Sequence, residues 1–471
     1  MLDLHRAAGT LLGLAAGDAL GAGYEFQSPP FAHIEMRGGG LGPFAPGEWT
    51  DDTSMAICVA EVTATGSCDP EAIGARFLDW YRSGPPDVGN LTRAVLGEVL
   101  DAHELPARAA AVYAAYPDGA AGNGALMRTA PVALAALGDP DRLATLARDV
   151  AGLTHADPLA GDSCVLWSAA IERAIATGRS DRLRDGLPLV PAERRARWAQ
   201  AIDAAEQTPP GRFTGNGYTV TALQAAYAAI RSTPVPEVEP ARHLQHALEA
   251  AVSIGDDTDT VAAIAGALLG ATWGASAVPF RWRRMLHGWP GLRASDLVRL
   301  AVRTAWQGGD DAQGWPGAAV LEPDPTPAFV QPCPGDGQLL LGNRAALSEV
   351  VGEVDAVVSL ARVGRAEVPA DVEHHEVWLV DRPEPAANPN LDLVVADTVE
   401  AVRTLRGEGK RVLLHGGAGR SRLPAIAAAV LADREGMSGR RALEAIGNAV
   451  PQHDRYHTTL LDAVLRAYPE R

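Results

Sequence analysis

The sequence predicts two folded parts in series, an all-α domain followed by a small α/β domain. Three observations predict it. Residues 1 to about 308 are rich in Ala and Leu, repeat with helical spacing and hold few β-branched runs. Residues 307–337, QGGDDAQGWPGAAVLEPDPTPAFVQPCPGDG, lose that periodicity and are dense in Pro and Gly. Beyond them, short β-like runs alternate with helical stretches, the pattern of a mainly parallel sheet. The expected limits are therefore 1–308 for the first domain, 309–337 for a linker and 338–471 for the second domain.

Each element has its own justification. Ala7 to Ala22 is apolar, but its only basic flank is Arg6, offset by Asp3, and Asp18 interrupts the run. It therefore reads as a first buried helix and not as a signal sequence. Helical spacing recurs at Pro131–Leu137, Cys164–Ala176, Val220–Ile230 and Val261–Trp273. Residues 180–213 are charged and contain Pro, and are expected to form a surface excursion. In the second domain, strands are expected at Gln338–Leu341, Ala356–Leu360, His375–Val380 and Arg411–Leu414.

Charge narrows the function. Lys and Arg number 41 against 58 Asp and Glu, a net charge of −17. That argues against general nucleic-acid or membrane-surface binding, and any anionic ligand must be held by local Arg, amides or metal. No other stretch reaches membrane-span length without charges. The four cysteines, Cys58, Cys68, Cys164 and Cys333, form no close pair typical of a zinc site or redox motif, which fits a reducing cytosol.

The chemistry is concentrated in two acidic clusters, WTDDTSMA at Trp49–Ala56 and GDDTDTVAAIAGALLG at Gly255–Gly270, each just ahead of an apolar helical run. Asp and Thr favour helix N-caps, and an acid there contributes about 0.3–1 kcal/mol. One Asp per cluster is accounted for in that way. Asp51 with Asp52, and Asp256, Asp257 and Asp259 together, exceed what capping requires. Carboxylates this close stay ionised together only around a positive charge. Oxygen-only donors suit Mg²⁺, Mn²⁺ or Ca²⁺, and five carboxylates suit two ions sharing a bridging ligand better than one.

Six ordered motifs carry a family resemblance: GLAAGDALGAGYEF (Gly13–Phe26), WTDDTSMA, AGNGALMRTAP (Ala121–Pro131), THADPLA (Thr154–Ala160), TGNGYTV (Thr214–Val220) and GDDTDTVAAIAGALLGA (Gly255–Ala271). In this order the first three hundred residues resemble the ADP-ribosylglycohydrolase family, which includes the enzyme that removes ADP-ribose from dinitrogenase reductase. The resemblance implies two Mg²⁺ ions, with Mn²⁺ as the substitute, held by Thr50, Asp51, Asp52, Asp257, Asp259 and Thr260. It implies that the ions bind the hydroxyls of the ribose whose C1″ carries the modified side chain. Glu25, Asp52 and Asp257 are the implied catalytic residues, Glu25 as acid/base or gate. Gly122, Asn123 and Gly124 permit unusual backbone angles, and amides at such a turn can cradle a diphosphate. The resemblance makes that the diphosphate of ADP-ribose, with His155 near the ribose or phosphate. Tyr218 is an aromatic at a helix start that could stack on adenine or belong to the core.

Residues 411–431, RVLLHGGAGRSRLPAIAAAVL, read as a strand, a glycine-rich loop and a helix. They resemble the phosphate-binding loop of dual-specificity and tyrosine phosphatases: His-Cys, five residues, Arg, then Ser or Thr. His415 and Arg422 fall on the pattern, Gly419 lies in the loop, and Asp381 in WLVDRPEP stands where that family has its general acid. Gly416 occupies the position of the nucleophilic Cys and Leu423 that of the hydroxyl. A glycine has nothing to attack with, so this loop is expected to be a pseudophosphatase. Its amides and Arg422 leave a phosphorylated ligand as one expected partner. That makes it a phosphate-reading or scaffolding module, and a domain kept for stability or oligomer contacts is the equal alternative.

Taken together, these features lead to the expectation of a cytoplasmic, Mg²⁺-dependent hydrolase that splits ADP-ribose from a modified protein side chain such as arginine. Two alternatives stand beside it: hydrolysis of a small ADP-ribosyl conjugate, and a non-catalytic sensor of ADP-ribose or phosphoprotein.

Overall fold

The computed structural model describes residues 3–117, 119–322, 325–450 and 457–470. It divides into two compact units, one of residues 1–278 with 282–309 and one of residues 279–281 with 310–471.

Two helices, Leu4–Gly21 and Thr258–Trp273, form the centre of the first unit. Both are apolar on every face, and such helices belong in the interior. Both are buried along almost their whole length. They run antiparallel with backbone against backbone: Gly9 meets Gly270, Gly13 meets Gly266 and Gly17 meets Ala262. A Cβ on Gly13 would overlap the Gly266 carbonyl, so the close approach depends on glycine there. Where Leu4–Gly21 ends and Thr258–Trp273 begins, Gly21 lies against Asp259. The helices Asp51–Thr63, Pro158–Thr177, Thr219–Ser232 and Ala294–Ala305 pack around the pair. Trp167 ties one of them to the centre by donating from Nε1 to the Ile264 carbonyl at 3.0 Å.

Two details depart from the sequence reading. The unit is helical but carries one small ribbon, β1 (His287–Gly288) antiparallel to β2 (Leu292–Arg293). Residues 180–213 are also more than a surface excursion. They contain the helix Ala192–Gln207, whose Trp198 and Ile202 are fully buried. Trp198 Nε1 donates to Asp162 Oδ2 at 3.2 Å, and Arg194 pairs with the same carboxylate. The charges of that helix hid an apolar stripe only a few residues wide.

The second unit holds a five-stranded sheet of β3 (Val330–Cys333), β4 (Asp336–Asn343), β5 (Ala356–Ser359), β6 (Glu373–Glu376) and β7 (Val412–Gly416), in the order β3-β4-β7-β5-β6. Only β3 is antiparallel to its neighbour. It lies inside the stretch read as linker. Its Pro332 is tolerated on an edge strand, and Gly335 (φ +74°) makes the turn into β4, so the residues that concealed the strand also build the hairpin. Strand alternation divides the core in two: Leu339, Leu341, Val358, Val412 and Leu414 face one cluster, Leu340, Val357 and Leu413 the other. β6 begins earlier than its apolar pattern suggested, because its residues are the charged run Glu373–Glu376. Among the described residues no helix is long and apolar enough to cross a membrane.

Candidate active site

Both acidic clusters sit at the N-termini of buried helices in the first unit, Asp51 and Asp52 in the first turn of Asp51–Thr63 and Asp259 in that of Thr258–Trp273. The partial positive charge of a helix start favours acids there, but not this many. The glycine seam sets the start of Thr258–Trp273 against Gly21, and Asp18 of the same helix as Gly21 holds the start of Asp51–Thr63 through Thr50 and Thr53. Two sets of three carboxylates result, each with its oxygens within 4.8 Å of one another: Asp18, Asp52 and Asp259, and Glu25, Asp257 and Asp259. Asp259 belongs to both.

The hydrogen bonds do not neutralise these groups. Thr50 Oγ1 lies 2.9 Å from Asp18 Oδ1, 3.0 Å from Asp52 Oδ2 and 3.5 Å from Asp259 Oδ2, yet its hydroxyl has one proton to give. Asp52 Oδ1 and Asp259 Oδ1 are buried with no hydrogen-bond partner. Buried acceptors left in this state are costly. An all-oxygen donor set with spare lone pairs fits a hard divalent cation. Without one, burial raises every carboxyl of the group, and repulsion from neighbouring acids adds to it at Asp52, Asp259, Glu25 and Asp51: Asp18 upward, Asp52 and Asp259 well above the usual range, Asp257 upward, and Glu25 and Asp51 to about 8.

Asp51 is buried beside these sets but belongs to neither, and its Oδ2 accepts from the Gly89 N–H at 3.4 Å. Thr260 is buried one residue beyond Asp259. Glu25 closes the short turn Ala22–Tyr24 and is part-buried. Arg37 brackets that turn, with its guanidinium 3.8 Å from the Tyr24 ring centroid and hydrogen bonds to the Gly23 carbonyl and to Gln27 Oε1.

The two Gly-Asn-Gly turns meet. Gly122 bridges to Tyr218 in antiparallel fashion, with Asn123 N–H donating to the Gly217 carbonyl at 3.0 Å and Thr219 N–H to the Ala121 carbonyl at 2.9 Å. One of the three amides read as a diphosphate cradle is thus already used. The Asn123 side chain instead donates to Asp257 Oδ2 at 2.7 Å. Asn216, which the sequence reading passed over, is fully buried and accepts the Asp257 N–H at 2.9 Å. Its signal was present, since TGNG repeats the AGNG of the first turn.

His155 is buried beneath the first turn, against both Gly122 and Gly124. Its Nδ1 lies 2.7 Å from Thr154 Oγ1, which accepts from Arg128 Nη2 at 2.6 Å. Burial, with Arg128 adding to it, lowers the imidazole to about 3, so it is neutral. Tyr218 is 36% exposed and its Oη accepts from Arg197 Nη2 at 2.7 Å, which places its ring outside the core.

Asp18 is the other residue missed. It is fully buried, and the only reading made of it was as an interruption of an apolar run. Its partners lie 32 and 35 positions away, a pairing no local pattern reveals.

In the second unit, Gly416 ends β7 and the loop 417–421 leads into the helix Arg422–Glu435. His415 is buried. Its Nδ1 faces the Gly416 carbonyl at 3.2 Å, so Nδ1 carries the proton and Nε2 accepts from Ser359 Oγ at 2.7 Å. Gly419 has φ +79° with the Phe329 ring against it. One nitrogen of Arg422 is committed to the fold: Nη1 donates to the carbonyls of Leu360 and of Leu379, the latter at 2.9 Å, and Nε lies 3.6 Å from Asp381 Oδ2. Asp381 also pairs with His457 at 3.1 Å.

Comparison with known proteins agrees with the first unit's layout. The model of the ADP-ribosylglycohydrolase family matches residues 2–311. The ADP-ribosylarginine hydrolase Tri1 of Pseudomonas putida is 33% identical over 291 residues, covering 59% of this chain and 73% of that protein. A solved ADP-ribosylglycohydrolase-related protein complex is 32% identical with a TM-score of 0.52, covering 65% of this chain and 98% of that one. The crystal structure of human DUSP28 is 23% identical with a TM-score of 0.27, covering 31% of this chain and 96% of that one.

Proposed function

From the premise that the chain belongs to the ADP-ribosylglycohydrolase family and is an ADP-ribosyl hydrolase, we propose that residues 1–308 split the glycosidic bond between ADP-ribose and an arginine side chain with two Mg²⁺ ions. The observation that carries this reading is the pair of buried, partnerless oxygens, Asp52 Oδ1 and Asp259 Oδ1, facing a region already crowded with carboxylates. Thr50, Asp51, Asp52, Asp257, Asp259 and Thr260 would hold the ions. When bound, they would supply Lewis-acid polarisation and fix the ribose hydroxyls.

The chain's own residues do the rest. Asn123 and Asn216 fix Asp257 from two sides. Glu25, part-buried at the edge of the set, is assigned the proton exchanged with the departing guanidine. Water supplies hydroxyl to C1″ and a proton to the leaving nitrogen, so the C1″–N bond is replaced by C1″–O. The diphosphate is assigned to Gly122 and Gly124 above the neutral His155, and adenine to the exposed ring of Tyr218. The name of the Pseudomonas putida relative supports arginine as acceptor. The deciding experiment offers Arg-, Ser- and nucleobase-linked ADP-ribose to the full chain with Mg²⁺ and measures released ADP-ribose. Turnover of the serine or nucleobase conjugate alone would replace the arginine assignment.

For the second unit we infer a loop without phosphatase turnover, since Gly416 offers no nucleophile. The bonding of Arg422 Nη1 to the Leu360 and Leu379 carbonyls supports a structural role, and phosphate reading through the other guanidinium nitrogens is the second reading.

A further inference from the structure

Asp18 groups with Asp52 and Asp259 by distance, but its hydrogen bonds give it a different role. Oδ1 accepts from Thr50 N–H at 3.0 Å and from Thr50 Oγ1 at 2.9 Å. Oδ2 accepts from Thr53 N–H at 3.0 Å and from Thr53 Oγ1 at 2.6 Å. A carboxylate has about four lone-pair sites, and here four donors take them. With the Thr50 hydroxyl proton directed to it, Asp18 has no lone-pair site left for a cation. It caps the helix Asp51–Thr63 from outside, because the Thr50 side chain makes no capping bond of its own.

The consequence falls on Thr50. Its single hydroxyl proton has three carboxylate oxygens within reach, and Asp18 Oδ1 is the nearest. Once the proton is given to Asp18, the lone pairs of Oγ1 point toward Asp52 and Asp259. Oxygen lone pairs facing carboxylate oxygens need a cation or a proton between them. The buried, partnerless Asp52 Oδ1 and Asp259 Oδ1 belong to these same two groups.

We propose that Asp18 is a positioning residue that holds the Thr50 hydroxyl as an acceptor for the cation and does not itself ligate it. This rests on the metal reading above. Thr53 provides the internal contrast, since it bonds the same carboxylate but none of the other acids.

The test is Mn²⁺ affinity of the full chain, measured by calorimetry and by the free-ion spin-resonance signal, with no substrate present. Asp18→Asn should weaken binding about 10–100-fold, the usual effect of losing a partner behind a ligand. Thr50→Val should weaken it by a similar factor, and the double variant should be no worse than either single one, because both remove one unit. Thr53→Val should stay within about twofold of native. Native-like affinity in folded Asp18→Asn overturns the proposal, and so do additive losses in the double variant, which would make Asp18 a ligand in its own right. If Asp18→Asn does not fold, the two threonine variants decide: equal losses from Thr50→Val and Thr53→Val overturn it. Failure of the native chain to bind Mn²⁺ at all would remove the underlying metal reading, an outcome distinct from native binding that ignores Asp18.

Discussion

Asn123 and Asp257 are joined by a 2.7 Å hydrogen bond across 134 positions of sequence. The amide donates to Oδ2, and the same Nδ2 donates to the Asn216 carbonyl at 3.0 Å. Two loops of like sequence thus converge on one carboxylate, which is held by its side chain from one loop and by its backbone from the other. Asp257 has little freedom to turn away from Glu25 and Asp259.

That restraint predicts the effect of breaking it. Asn123→Ala leaves the Asp257 oxygen without its donor, and turnover should fall about 10–100-fold. Asn123→Asp should be worse, since it adds a carboxylate to a group already crowded with them. ADP-ribose release from an arginine conjugate is the measurement. Activity of Asn123→Ala within twofold of native would show that the bond is incidental.

Metal and ligand should act together. Asp257→Asn, or excess chelator on the native chain, should abolish hydrolysis. ADP-ribose at a hundred times its Kd adds about 2.7 kcal/mol to the folded state. It should raise the melting temperature with Mg²⁺ and leave it unmoved without. An equal shift in chelator would mean that the nucleotide is held without the acidic cluster.

Much of this site was legible because its residues are dense in short motifs. The Asp-Asp-Thr and Asp-Thr-Asp-Thr runs announce themselves, and helix starts explain where they sit. Three things were hidden. Asp18 is a single acid whose partners are chosen by tertiary packing. Asn216 lay inside a quoted motif but was outshone by the aromatic beside it. The spacing of Gly9, Gly13, Gly17 and Gly21 was visible, yet a helix apolar on all sides does not say which face meets which partner. In the second unit the alternation of strands was readable, but a charged strand and a Pro-bearing edge strand were not.

The glycine seam is itself testable. Gly266→Ala would drive a Cβ into the Gly13 carbonyl, and the fully buried pair has no room to relax. The expected loss is about 3 kcal/mol by denaturant titration, followed by weaker Mn²⁺ binding as the helix starts separate. Gly152→Ala is the control. Nothing lies within 4 Å of its added Cβ, so stability should hold or rise by less than about 1 kcal/mol. Equal behaviour of the two variants would show that the helices do not depend on backbone contact.

His415 should be silent to pH across the neutral range. Burial lowers it to about 4, and its Nδ1 proton is committed to the Gly416 carbonyl. The unfolded chain takes up the proton near 6.5. Its contribution is therefore fully present above about 6.5 and is lost as pH falls toward the folded value. In imidazole NMR spectra assigned with His415→Gln, the His415 signals should not move between pH 5.5 and 8. A midpoint near 6.5 would mean that the ring is not enclosed as described.

The second unit offers the sharpest contrast between motif and structure. The native chain should show no turnover of a generic aryl phosphate. A Cβ on Gly416 would lie 3.4 Å from Leu423 Cβ, so Gly416→Cys fits, but alone it should recover little without the hydroxyl that assists a thiolate as leaving group. Adding Leu423→Ser supplies that hydroxyl at a cost, because Leu423 is fully buried and its loss leaves a cavity worth about 2–5 kcal/mol. The double variant should therefore turn over more and melt lower than the single one. Arg422→Ala separates the two readings of the loop. Its guanidinium bonds carbonyls just beyond β5 and β6, so its removal should destabilise the chain. Loss of vanadate binding with an unchanged melting temperature would restore the phosphate-reading role. Robust turnover by the native chain would mean that a group other than residue 416 attacks.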